Sequence, residues 1–69
     1  MRSFYQFLMT FRGKKKADEE SRLADWAFLD HDFPKHSMDY HELTDYLEFN
    51  SPFPSALQVF DRLWDRYIS

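Results

Sequence analysis

One stretch near the end of the chain decides the fold: residues 55–68 read SALQVFDRLWDRYI. On a helical wheel at about 100° per residue, its apolar residues lie within one half of the circumference and its polar residues within the other. The apolar half contains Ala56, Leu57, Val59, Phe60, Leu63, Trp64, Tyr67 and Ile68. The stretch therefore predicts an amphipathic helix packed on a core. Ser55 and Gln58 predict a capping box at its start.

Two further helices are predicted before residue 30. Ser3 and Gln6 form a capping-box pattern in front of the apolar stretch FYQFLMTF, residues 4–11. Gly13 can take the left-handed conformation that ends such a helix. After a connection at residues 14–17, Asp18 is a candidate cap for a helix that runs to about Leu29. The residues predicted to face inward from that helix are Leu23, Ala24, Trp26, Ala27 and Phe28.

A third helix is predicted between two proline-containing connections. Pro34 disfavours helical geometry at the residue before it. Asp39 with Glu42 is a second capping-box-like pair, and Ser37 is a rival cap. The apolar side of this helix would contain Tyr40, Leu43, Tyr46 and Leu47, and the polar side His41, Thr44, Asp45 and Glu48. No stretch alternates as a strand does. The prediction is an all-α, four-helix domain over residues 1–69, with at most one short extra turn.

The composition favours a densely packed protein of the cytoplasm. A chain of 69 residues must offset its ordering entropy almost wholly by apolar burial, and eight Phe, four Tyr and two Trp provide the means. The absence of cysteine excludes disulfides, thiolate metal sites and a cysteine nucleophile. Gln6 and Thr10 interrupt the first apolar run, so it does not resemble a signal peptide. No segment approaches the ~20 apolar residues of a membrane span.

Charge is divided unevenly along the chain. Residues 1–22 carry six Lys or Arg against three acids, a sum of +3, whereas residues 23–69 carry three against nine, a sum of −6. The candidate basic residues are Arg12, Lys14, Lys15, Lys16 and Arg22, and the candidate acidic residues are Asp39, Glu42, Asp45 and Glu48. An overall acidic chain is a poor general nucleic-acid binder, but a local basic patch survives the average.

The three histidines raise the question of a metal site. His31, His36 and His41 lie within the stretch HDFPKHSMDYHE, residues 31–42, and HELTD at residues 41–45 resembles the zincin motif with Asp45 in place of its second histidine. That replacement removes the residue that makes the motif specific. His41, Asp45 and Glu48 are also predicted to lie on the side of the helix that faces water. We therefore predict no metal site.

No other catalytic constellation is evident. The serines have no GxSxG elbow around them, and a single glycine leaves no phosphate-cradling loop. Pairs of carboxylates are expected on any acidic helix, and nothing indicates the pocket that would perturb them. The sequence predicts a protein that is not an enzyme and that has no cofactor and no small-molecule substrate.

Three segments resemble those of a known family. FYQFLMTFRG, ADEESRLADWAFLDHDFPKHS and YLEFNSPFPSALQVFDRLWDRY are similar to the YozE SAM-like family of small bacterial proteins, from Ser3 to Tyr67. The resemblance implies a helical bundle like the sterile alpha motif, in a cytoplasmic protein of low-GC Gram-positive bacteria. It implies no catalytic residues. Folds of this kind elsewhere serve in protein interaction and sometimes in nucleic-acid binding, which is a fold-level analogy.

Two functions of different class follow. The first is an interaction module that binds a protein or a second copy of itself, in which a basic region near residues 12–22 meets the acidic residues Asp39, Glu42, Asp45 and Glu48 of a neighbour. Phe53 and Tyr46 are its candidate exposed anchors. The second is DNA binding through Arg12, Lys14, Lys15, Lys16 and Arg22, four of them within RGKKK. The acids that follow at residues 18–20 argue against the second.

Overall fold

Four α-helices make up the bundle in the computed structural model, which describes residues 1–15 and 18–69. No strand is present in these residues. The helices are α1 (Phe4–Met9), α2 (Glu19–Leu29), α3 (Tyr40–Phe49) and α4 (Ala56–Ile68). The all-α prediction and its four-helix order are confirmed. No helix of the described chain has the length and apolar character needed to cross a membrane.

The first helix begins and ends through local interactions. The Ser3 hydroxyl accepts a hydrogen bond from the Gln6 backbone N–H at 3.2 Å, and the Gln6 side-chain oxygen accepts one from the Ser3 N–H at 3.1 Å. This reciprocal pair is the predicted capping box. The α-helical part ends at Met9 and continues as turns up to Gly13, whose φ is +78°. Glycine adopts that angle without the Cβ clash of other residues.

The predicted caps of α2 and α3 are only partly right. Asp18 caps α2 as predicted and accepts from the Ser21 N–H at 2.8 Å, while the Ser21 hydroxyl accepts from the Asp18 N–H at 3.1 Å. Asp39 caps α3 and accepts from the His41 N–H at 3.0 Å. The predicted return bond from Glu42 is not formed. Short side chains thus provide the caps.

The capping box predicted at Ser55 is wrong. Ser55 precedes α4 with φ −93° and ψ +10°, outside the extended conformation of a capping residue, and its side chain makes no cap bond. Its hydroxyl donates instead to the carboxylate of Glu19 at the start of α2. Gln58 is exposed. The serine therefore links two helices and does not cap its own.

The fourth helix lies against all three others, so its apolar half supplies the centre of the core. Phe60 is fully buried and its ring meets the Phe4 ring edge-on, with centroids 5.0 Å apart. Tyr67 meets Phe4 in the same manner at 5.5 Å, and its hydroxyl donates to the Arg2 carbonyl oxygen at 2.6 Å. These contacts fix α1 across α4.

A second aromatic group joins α2 to α3 through the connection between them. Phe33 is buried in that connection, and its ring meets Trp26 of α2 at 6.1 Å and Tyr46 of α3 at 5.8 Å, both edge-on. Tyr46 also donates a hydrogen bond to the Asp30 carboxylate. The group holds the loop of residues 30–39 against the bundle.

Two residues predicted to face inward are exposed at helix ends. Phe28 is 47% exposed and Ile68 is 55% exposed. Each lies in the last turn of its helix, where the chain extends past the packed core although the wheel angle is correct. Trp26, Leu57 and Trp64 are partly buried against the core. The remaining predicted inward residues of α2 and α4 are buried.

Candidate interaction surfaces

The basic residues before α2 are paired within the chain. Arg12 Nε lies 3.1 Å from Asp25 Oδ1, and its guanidinium covers the exposed ring of Phe28 at 3.6 Å. Lys14 Nζ lies 2.9 Å from Asp18 Oδ2. These exposed pairs contribute little stability, but they partly neutralise the two cations.

The pairing of Lys14 with Asp18 also affects the ionisation of Asp18, the residue that caps α2. The Ser21 backbone N–H is the largest cause that lowers the pKa of the Asp18 carboxyl below its usual value, and Lys14 adds to the effect. A carboxylate at a helix N-terminus also interacts favourably with the helix dipole. Lys14 is thus part of the helix start.

The other predicted basic residues differ in their surroundings. The Arg22 guanidinium stacks over the Phe53 ring at 4.6 Å. Lys15 is exposed, and Lys16 lies outside the described residues. Phe53 is half-buried under Arg22, and Tyr46 is half-buried with its hydroxyl bound to Asp30, so the prediction of these two rings as exposed anchors is wrong.

The predicted acidic residues all lie exposed on α3 or at its cap. Asp39, Glu42, Asp45 and Glu48 form no salt bridge with any residue of the described chain. Phe49 is 85% exposed at the end of the same helix, one turn after Asp45 and two turns after Glu42. We name these five residues the α3 acidic face. Phe49 was missed, although its position on the polar side of the wheel could have indicated it.

The histidines do not form a cluster with the acids of α3. His31, His36 and His41 are exposed, and the His41 ring lies against the edge of the Tyr40 ring, with centroids 5.8 Å apart. Within residues 1–15 and 18–69, no group of three or more His, Cys, Asp or Glu side chains has a geometry that would hold a metal ion.

An ionic network that the sequence did not predict joins α2 to α4. Glu19 accepts the hydrogen bond from Ser55, and Arg62 Nη2 lies 3.5 Å from Glu19 Oε1 and 3.9 Å from Glu20 Oε1. The Ser55 bond is the main cause that lowers the pKa of Glu19, with Arg62 next. The network turns Arg62 towards α2.

Comparison with known proteins gives matches over nearly the whole chain. A family model described as the YozE SAM-like fold matches residues 3–69. A UPF0346 protein of Listeria monocytogenes is 51% identical over 67 residues, which is 97% of this chain and 87% of the relative. A UPF0346 protein of Bacillus licheniformis is 48% identical over 69 residues, 100% of this chain and 94% of the relative.

A solved structure has the same arrangement of helices. The solution NMR structure of the UPF0346 protein yozE from Bacillus subtilis superposes with a TM-score of 0.81 at 45% identity. The superposition covers 97% of this chain and 82% of that one. The superposition therefore includes all four helices.

Proposed function

We propose that this chain, which belongs to the YozE SAM-like family as its motifs predicted, is a cytoplasmic, non-catalytic module that binds a protein through the α3 acidic face. One observation supports the choice of surface. The carboxylates of that face form no salt bridge in the described chain, whereas Arg12 and Lys14 lie beside carboxylates of their own molecule. Within the described chain, the α3 acidic face is therefore less neutralised by its own molecule than Arg12 and Lys14 are.

The arrangement of the face favours a basic partner. Glu42, Asp45 and Glu48 follow one another at intervals of three residues, and like charges at that spacing on a helix repel one another. A partner segment rich in Lys or Arg relieves this repulsion and is attracted over a distance of about one Debye length. Phe49 supplies an exposed ring that gains by burial against the apolar part of such a segment.

A second copy of the chain is one form that the partner can take. Lys15 is exposed, and the neighbouring Arg12 and Lys14 keep part of their side chains accessible. Contact between this region of one copy and the α3 acidic face of another uses two different surfaces, so it is heterologous and can form chains. A separate basic protein would occupy the same acidic face.

Two measurements test the proposal with one set of variants. Sedimentation velocity between 10 µM and 1 mM, at 50 and 300 mM salt, measures self-association. Isothermal titration with the acetylated and amidated peptide KLKKLKKL measures binding of a basic segment. We expect salt-sensitive interaction in at least one of them, lost when Glu42→Lys and Asp45→Lys are combined.

A control matched in charge to Asp45→Lys alone places lysine at an acid away from α3. Asp32 is exposed in the preceding loop and forms no salt bridge in the described chain, so Asp32→Lys changes charge at a comparable site. It should retain most of the interaction. A native protein that stays monomeric at both salt concentrations and ignores the peptide would refute the proposal, as would a control that loses as much as the α3 variant.

DNA binding remains the alternative prediction, through Arg12, Lys14, Lys15, Lys16 and Arg22. The exposure of Lys15 and the partial exposure of its neighbours favour it, whereas their pairing with Asp25 and Asp18 disfavours it. Fluorescence anisotropy with a 20-base-pair duplex decides the matter. If these residues contact phosphates, the affinity for the duplex should weaken steeply between 50 and 200 mM salt, and Lys15→Glu should weaken it further. No binding at 50 mM salt excludes DNA.

A further inference from the structure

A groove of about 460 Å³ separates the start of α3 from the second half of α4. Its lining residues are Tyr40, Asp61, Trp64, Asp65 and Ile68. Trp64 and Asp65 follow Asp61 by three and four positions, and Ile68 follows Trp64 by four, so these residues form one strip along the helix. Tyr40 forms the wall opposite, with its ring centroid 5.4 Å from that of Trp64.

The walls of the groove combine aromatic rings with carboxylates. Tyr40 and Trp64 are half-buried, so each keeps part of its ring accessible, and Ile68 extends past the core at the end of the strip. Asp61 and Asp65 are exposed one turn apart. This pairing of π-faces and anionic oxygens matches the two ways in which proteins attract an organic cation.

The groove carries a negative potential that its own helix does not cancel. Arg62 is turned to Glu19 and Glu20 on α2, and the Arg66 guanidinium lies over the Phe11 ring at 5.1 Å. Neither forms a salt bridge to Asp61 or Asp65 within the described residues.

The ionisation of Tyr40, which forms one wall of the groove, is affected by this potential. The Tyr40 hydroxyl donates to Asp61 Oδ1 at 2.7 Å. That hydrogen bond is the first cause that raises the pKa of Tyr40, and the charges of Asp61 and Asp65 add to it. The second oxygen of Asp61 and the whole carboxylate of Asp65 have no hydrogen-bond partner in the described chain.

We propose that this groove binds an arginine side chain of a partner protein, with the guanidinium stacked on Trp64 and Tyr40 and hydrogen-bonded to Asp61 and Asp65. Arginine fits better than lysine because its planar group stacks on rings and donates to two carboxylates from one plane. The apolar stem of the side chain lies against Ile68. This surface is distinct from the α3 acidic face, so the assignment extends the proposed function and does not depend on its result.

Titration by NMR with the peptide acetyl-Gly-Gly-Arg-Gly-Gly-amide tests the assignment. We expect saturable shifts of the Trp64 indole N–H and the Tyr40 ring, with dissociation constants in the millimolar range for a single side chain. The indole of Trp26, packed on Phe33 and Tyr46, is an internal reference that should not move. The same peptide with neutral citrulline in place of arginine should give no saturable shift.

Variants separate this site from the α3 acidic face. Asp65 makes no side-chain hydrogen bond in the described chain, so Asp65→Asn should leave the fold intact and weaken binding about two- to fivefold, as expected for one exposed charge pair. Asp61→Asn combined with Asp65→Asn should weaken it at least tenfold. Asp45→Asn, which removes the same charge from α3, should leave the Trp64 shifts unchanged.

Each other outcome overturns the assignment. Equal shifts with citrulline show that charge is not recognised. Shifts confined to Glu42, Asp45 and Phe49 show that the α3 acidic face binds and the groove does not. Trp64 shifts that grow with protein concentration in the absence of peptide place a second copy of the chain in the groove and exclude the separate partner.

Discussion

The substitution Phe60→Ala should remove a large part of the stability of this domain. Phe60 is fully buried, and its ring contacts those of Phe4, Tyr40 and Trp64 at centroid distances of 5.0, 5.6 and 5.9 Å. Truncation of a buried phenylalanine costs about 3–5 kcal/mol in transfer free energy and cavity formation. A domain of 69 residues has a free energy of unfolding of roughly 3–10 kcal/mol, at ~0.05–0.15 kcal/mol per residue. The loss is therefore about a third or more of the free energy of unfolding, and a native stability at the lower end of the range would leave the variant unfolded without denaturant.

Urea unfolding followed by far-UV circular dichroism measures the effect. Phe60→Leu keeps the site apolar but loses the ring contacts, so it should stay folded and lose about 1–2 kcal/mol. Phe49→Ala is the matched control, because the same change at a side chain that is 85% exposed should alter stability by less than about 0.5 kcal/mol. If Phe60→Ala unfolds at the native midpoint, or if Phe49→Ala is destabilised as much, the assignment of the core to α4 is refuted.

Three other predictions concern single residues. Ser3→Ala removes the α1 capping box and should cost about 1 kcal/mol, seen as a melting temperature lower by roughly 4–8 °C; an unchanged temperature contradicts the role of the cap. Gly13→Ala places a Cβ on a backbone at φ +78° and should lower the free energy of unfolding by about 1–2 kcal/mol in the same assay. Gly13→Asn should lower it less, and equal stability of the native chain and both variants would contradict this role of Gly13. Burial, with the Asp30 hydrogen bond second, raises the pKa of Tyr46 to about 12. The native state then holds a proton that the unfolded state releases near pH 10, so stability should decrease as the pH rises from about 10 to 12. Ultraviolet titration should show a tyrosine that ionises near pH 12, and Tyr46→Phe should remove that late step.

The features that were predictable from the sequence are those set by neighbours in the chain. The cap at Asp18, the capping box of Ser3 with Gln6 and the turn at Gly13 each depend on residues within four positions. The wheel of α4 also placed Phe60 and Leu63 correctly, because the spacing of apolar residues is itself a local property. Four helices and their inward faces follow from such signals.

The features that were not predictable depend on how helices end and meet. A wheel gives the angle of a residue around its helix but not its position along the neighbouring helix, so Phe28 and Ile68 were placed inward although their turns extend beyond the core. Ser55 has the sequence of a cap, but Glu19, 36 positions away, binds its hydroxyl. No pattern within one helix could show that contact.

The same distinction changes the meaning of the charge pattern. Summed along the chain, Asp61 with Arg62 and Asp65 with Arg66 cancel, and the segment contributes nothing to a split between a basic and an acidic half. Adjacent residues on a helix diverge by about 100°, however, so each pair separates its charges onto different faces. The arginines turn towards α2 and Phe11, and the aspartates line the groove beside Tyr40. The charge of this protein is therefore divided between faces of its helices, and a partner that recognises it must read the folded surface.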